Sequence, residues 1–121
     1  MITLTKAEEQ IMQILWSLEE CTVQDIREKF DEPKPVRTTI ATVLTVLENK
    51  GFAGHRTFGR VNMYYPKIEK TSYTKKQLSG ILKNYFNDSF SAMALFFAKE
   101  NNISLEEMDE MLEEVRKEIS G

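Results

Sequence analysis

Pro35-Val36-Arg37-Thr38-Thr39-Ile40-Ala41-Thr42-Val43-Leu44-Thr45-Val46-Leu47-Glu48-Asn49-Lys50-Gly51 reads as one amphipathic helix whose two faces differ in an unusual way. Wound at about 3.6 residues per turn, the segment sets Ile40, Val43, Leu44 and Leu47 on one side. The other side carries Thr38, Thr42, Thr45 and Asn49, flanked by Thr39 and Val46. Threonine is a mediocre helix former, and a merely solvated face more often holds Glu, Lys or Gln. Short hydroxyls approach nucleic acid closely, where they contact phosphates and thymine methyls. The same face would also pack against a neighbouring element, and the stretch alone leaves both readings open. Gly51 supplies a left-handed stop.

Outward toward the N-terminus, Thr5-Lys6-Ala7-Glu8 forms a capping box that opens a helix over about 6–19, with Ala7, Ile11, Ile14, Leu15 and Leu18 on its inner stripe. Trp16 lies beside that stripe as core or interface. Cys21-Thr22-Val23 is too short for an independent strand but could pair at an edge. Thr22 caps a second helix, buried through Val23, Ile26 and Phe30 and broken by Asp31-Glu32-Pro33-Lys34-Pro35. Two short helices before a Thr-rich third make a helix-turn-helix candidate. Beyond Gly51 the period changes to two. Phe52 to Thr57 and Val61 to Tyr65 read as strands around a Phe58-Gly59-Arg60 turn, a hairpin wing carrying Arg56 and Arg60, with His55 and Lys67 nearby. The candidate DNA-binding set is Arg37, Thr38, Thr39, Thr42, Thr45, Arg56 and Arg60.

A chain of 121 residues, 41% hydrophobic, suffices for one domain or two small units sharing a core. Its formal charge of −3 hides a division along the sequence. Lys34 to Lys67 holds six cations against Glu48 alone, a net +5, whereas Thr71 to the end is net −3. Local patches govern phosphate binding, so the middle is assigned to an anionic partner and the tail to something else. The lone Cys21 makes no internal disulfide and points to packing in a reducing, cytoplasmic setting. No charged leader precedes a long apolar core, and the longest apolar run, Ala92 to Ala98, is too short to insert in a membrane.

The tail reads as three helices, about 73–86, 89–99 and 105–119. Leu78, Ile81, Leu82, Tyr85 and Phe86 form a stripe on the first. The second, with Phe90, Met93, Ala94, Leu95, Phe96, Phe97 and Ala98, is apolar almost all round and must be covered on every side. Ser104-Leu105-Glu106-Glu107 opens the third as a capping box, with Leu105, Met108, Met111, Leu112, Val115 and Ile119 expected inward. About fifty residues cannot easily enclose the middle helix, so a second copy of the chain is its natural cover, through Leu78, Ile81, Leu82, Tyr85, Phe90, Met93, Phe97, Met108 and Leu112. A tail folded back on the N-terminal unit is the alternative.

One histidine and one cysteine give no zinc-ligand spacing, and Gly51, Gly54 and Gly59 lack the lysine of a phosphate-cradling loop. Neither an enzyme nor a bound metal or cofactor is expected.

Taken together the residues resemble the BlaI/MecI/CopY family of bacterial winged-helix repressors, over nearly the whole chain. Leu4-Thr5-x-Ala7-Glu8 through Ile14-Leu15-Trp16 resembles the family's first helix, and Thr38-Thr39-Ile40-x-Thr42-x-Leu44-x-x-Leu47-x-x-Lys50-Gly51 its recognition helix. Gly59-Arg60 to Tyr64-Tyr65-Pro66 resembles the wing, and Phe86-Asn87-Asp88-Ser89 the start of a dimerisation helix. The C-terminal Cys-x-Cys of the copper-responsive branch is missing, so the penicillinase-repressor branch is the better match. The resemblance implies a mainly α fold with a small β-hairpin wing: a winged helix-turn-helix over 1–69 and a helical dimerisation region over 70–121. It implies a homodimeric transcriptional repressor of an inverted-repeat double-stranded DNA operator, with Thr39 and Thr42 against bases and phosphates and Arg60 serving the wing. It also implies release by proteolysis in the dimerisation region, by a membrane sensor protease. The bond cut in that branch, Asn-Phe, aligns with Phe96-Phe97 here. Two other functions remain open: a winged-helix protein-interaction module, and a small-molecule-responsive regulator with Tyr85, Phe90 and Phe97 as pocket walls.

Overall fold

The computed structural model describes residues 3–121 as six helices and one hairpin, in two compact units. The first ends at Lys76 and the second runs Gln77–Gly121.

In the first unit, α1 (Lys6–Leu18) begins in the expected capping box: Thr5 Oγ1 accepts from the Glu8 N–H at 3.2 Å, and Glu8 Oε1 accepts from the Thr5 N–H at 3.0 Å. Helix α2 (Val23–Glu28) repeats the device with Thr22 and Asp25. Helix α3 (Arg37–Asn49) buries Ile40, Leu44 and Leu47, with Val43 packed at the margin. Its end is a Schellman stop, as Gly51 at φ 82° lets the Gly51 N–H reach Glu48 O at 3.0 Å and the Phe52 N–H reach Leu47 O at 2.9 Å. That turn drops Phe52 into the core, where it is 2% exposed.

Strands β1 (Ala53–Phe58) and β2 (Val61–Pro66) pair antiparallel with Phe58 opposite Val61, one residue beyond each expected end. The two-residue turn places Gly59 at φ 64°, and Arg60 stays out of the left-handed region, the II′ pattern that matches strand twist. Cys21 adds the edge pairing its sequence allowed, exchanging backbone hydrogen bonds with Tyr64 at 3.0 and 2.7 Å. Its thiol is buried, and burial, helped by Asp25 and Glu20, pushes its pKa up to about 11. It stays protonated at neutral pH and serves as packing.

Of the expected α1 stripe, Ile11 and Leu15 are buried and Ile14 and Leu18 pack against the core, and Ala7 alone lies outside it. Ala7 is exposed, while Glu8 is 7% exposed and Met12 fully buried. Lys50 makes that burial tolerable, its Nζ lying 2.6 Å from Glu8 Oε1. The Lys50 hydrogen bond, then the Thr5 N–H, hold the Glu8 carboxyl below its ordinary value of 4.5 against the opposing effect of burial. A depressed carboxylate stabilises the fold above its unfolded pKa, and the contribution disappears as pH falls through the lower folded value. Lys50→Met should therefore cost about 1–3 kcal/mol at neutral pH and flatten the loss of stability on the acid side, read by urea unfolding from pH 7 downward. An unchanged pH profile would show that the pair contributes nothing.

Helix α4 (Lys70–Phe86) starts three residues before the expected position, and its first turns belong to the first unit's core. Tyr73, 3% exposed, sits 5.7 Å from both the Trp16 and the Phe52 rings. Trp16 Nε1 donates to Ile68 O at 2.8 Å. A boundary at 69/70 would strip Tyr73 from the core it fills.

In the second unit, Ser89 caps α5 (Phe90–Glu100) through the Ala92 N–H, after Asn87 and Asp88 turn the chain with positive φ. Ser104 caps α6 (Leu105–Ser120) through the Glu107 N–H, one half of the expected box. Phe86 packs on Phe96 at 5.6 Å. The single chain does not turn the α6 stripe inward: α6 has no buried residue, and Ile119 is 81% exposed. Of the nine residues expected to be covered, Leu82, Met93 and Met108 are half-buried, whereas Leu78, Ile81, Tyr85, Phe90, Phe97 and Leu112 are exposed. No helix of the described residues is long and apolar enough to cross a membrane.

Candidate nucleic-acid interface

Four of the seven candidate residues lie on the outer face of α3. Thr38, Thr39, Thr42 and Thr45 are all exposed, so none packs against a neighbouring element. Their hydroxyls are not equivalent. Thr42 Oγ1 donates to Thr38 O at 2.9 Å and Thr45 Oγ1 to Ala41 O at 3.0 Å. Those two hydroxyl protons are committed within the helix, leaving oxygens that accept and methyls that touch. The N-terminus of α3 has no side-chain cap, as Val36 occupies the cap position. Its free N–H groups and dipole favour an anion there.

The basic segment is less free than its sequence suggests. Lys50 is held by Glu8, and Lys34 Nζ is spent on the Glu28 and Phe30 carbonyls. Arg56 lies mid-strand on the wing, opposite Met63. Its guanidinium stacks 4.6 Å from the Tyr65 ring centroid and pairs with Glu20 at 3.3 Å. That pair is exposed, worth at most about 1 kcal/mol, and a phosphate would compete for it. His55 Nδ1 is 2.6 Å from Glu48 Oε2, tying β1 to α3. Arg60 and Lys67 have no side-chain partner among the described residues, and Arg60 stands at the tip of the two-residue turn.

Arg37 of α3 and Arg60 of the wing line one groove, of about 430 Å³, between α2, α3 and the wing. Ala41 and Val61 line it as well, with Gln24 and Asn62. Sequence reasoning missed those last two. Gln24 is an ordinary polar residue on a six-residue helix, and Asn62 a polar position on a strand. Only the fold brings them beside the arginines.

Three helices, a Schellman stop and a two-stranded wing with an arginine at its tip define a winged helix-turn-helix. The model of the penicillinase repressor family matches residues 4–117, and the chain belongs to that family, the BlaI/MecI repressors. The penicillinase repressor of Bacillus licheniformis is 26% identical over 113 residues, 89% of this chain and 85% of that one. The methicillin resistance regulatory protein MecI of Staphylococcus aureus is 24% identical over 109 residues, 89% of each. The solution structure of the DNA-binding domain of the repressor BlaI aligns with a TM-score of 0.51 at 26% identity, over 59% of this chain and 88% of that chain.

Proposed function

We propose that the chain is a transcriptional repressor that binds an inverted-repeat operator as a homodimer and is released by a signal acting on its C-terminal unit. The observation that carries the reading is the face formed by α3 and the wing: exposed threonines, an uncapped helix N-terminus, and Arg37 and Arg60 beside one groove. Such a surface suits a helix in the major groove with a wing on the adjoining backbone. The B. licheniformis relative, named a penicillinase repressor, supports the same reading. Apolar surface left bare on α4, α5 and α6 supports the homodimer, because a second copy would cover it.

A sensor protease at the membrane, cutting near Phe96-Phe97, is one form the signal would take. Both side chains are exposed, but the bond lies within α5, so that helix would have to open locally before cleavage.

Thr42→Ala separates reading from positioning. It should cost on the order of 1–3 kcal/mol on the cognate operator and less on random duplex, because base contacts carry the sequence information. Arg60→Ala should weaken both about equally. Equal losses on both DNAs for Thr42→Ala would remove Thr42 from the readout.

A further inference from the structure

Arg37, the first residue of α3, is not left to find its own orientation. Its Nε donates to Gln24 Oε1 at 2.7 Å, and Gln24 Nε2 in turn faces Glu28 Oε1 at 3.4 Å. This chain fixes the guanidinium by one edge and leaves its two terminal nitrogens unpartnered among the described residues. Arg37 lines the same groove as Arg60 and Asn62. Asn62 Oδ1 accepts from Thr57 Oγ1 at 2.9 Å, so its Nδ2 is a free donor. No carboxylate lines the groove.

We propose that Gln24 is a positioning residue, which presents the Arg37 guanidinium so that it grips, with Arg60 and Asn62, one phosphodiester of the duplex backbone. The occupant follows from the donor set. Two guanidinium groups and an amide N–H, without an acceptor carboxylate, match the oxygens of a phosphodiester. A guanine edge also accepts from arginine, but it takes one guanidinium at N7 and O6 and makes no use of a second guanidinium and an amide donor beside it. Pre-orienting Arg37 matters because an exposed arginine otherwise gives up much rotamer freedom when it binds. The inference rests on the DNA-binding reading above.

The test uses the full chain and a random-sequence duplex, since a phosphate contact is indifferent to sequence. Arg37→Ala should weaken binding on the order of 10-fold and reduce the salt slope by about one per protomer. Gln24→Leu, which removes the acceptor, should weaken binding about 3- to 10-fold, yet add nothing in an Arg37→Ala background. Gln24→Leu keeps the size and helix propensity of the side chain, so its melting temperature should match the parent's. A purely structural role would lower the melting temperature or weaken binding in the Arg37→Ala background as well, whereas a positioning role predicts a loss of binding that disappears without Arg37. A parent chain that binds no duplex would overturn the DNA-binding reading and this inference together. If the parent binds, but Gln24→Leu binds as tightly or the Gln24 and Arg37 losses add, the positioning role alone is overturned.

Discussion

A fragment ending at Lys76 is expected to stay folded, to be monomeric at micromolar concentration, and to lose on the order of 10² to 10⁴ in operator affinity. One winged helix reads one half-site, and linking two raises the effective concentration of the second. The fragment keeps Tyr73 against Trp16 and Phe52, so its core is intact and the DNA-facing residues are untouched. A fragment ending at Glu69 would lose Tyr73 and confuse unfolding with loss of the dimer. Sedimentation and operator titration beside the full chain decide the matter. A full chain that is itself monomeric, or a fragment that binds as tightly as its parent, would remove dimerisation from the mechanism.

Leu44→Ala should destabilise the first unit by about 2–5 kcal/mol. Leu44 is fully buried in the core formed by α1, α2, α3 and Phe52, where truncation leaves a cavity the neighbours cannot fill. A unit of this size has roughly 4–11 kcal/mol in total, so the loss consumes a large share of it. Thr45→Ala, one position along on the exposed face, should change stability by no more than about 0.5 kcal/mol. Its back-bonded hydroxyl contributes little to the helix, and alanine is the better helix former. Urea midpoints for the two variants, at unchanged m, would show the contrast. Similar losses for both would mean that the two faces of α3 are not divided between core and partner as described.

Local signals in the sequence were enough for the elements and for the outer face of α3. The capping box at Thr5, the cap at Thr22 and the stop at Gly51 each involve neighbours within a few residues and formed as expected, whereas the turn at Gly59 is one residue shorter than expected because Phe58 pairs with Val61. What escaped depends on partners far along the chain. On α1 the expected stripe held at Ile11, Ile14, Leu15 and Leu18, but the burial of Glu8 escaped it, because Glu8 is paired with a lysine 42 positions away, which no periodicity displays. Helix α4 was begun too late because Tyr73 belongs to the core of Trp16 and Phe52, not to the tail. Counting charge along Lys34 to Lys67 overstated the free cations, since Glu8 and Glu20 outside that span neutralise Lys50 and Arg56. Gln24 became visible only once Arg37 was seen to donate to it.

The central claim, that the α3 and wing face holds duplex DNA, is tested most directly by titrating the full chain on duplex at a series of salt concentrations. Arg37, Arg60 and Lys67, with Arg56 exchanging Glu20 for a phosphate, give about three to four contacts per protomer, and log K should fall with log salt at a slope of roughly −5 to −7 for the dimer. Binding that is absent at low salt, or that ignores salt up to physiological strength, would contradict the account.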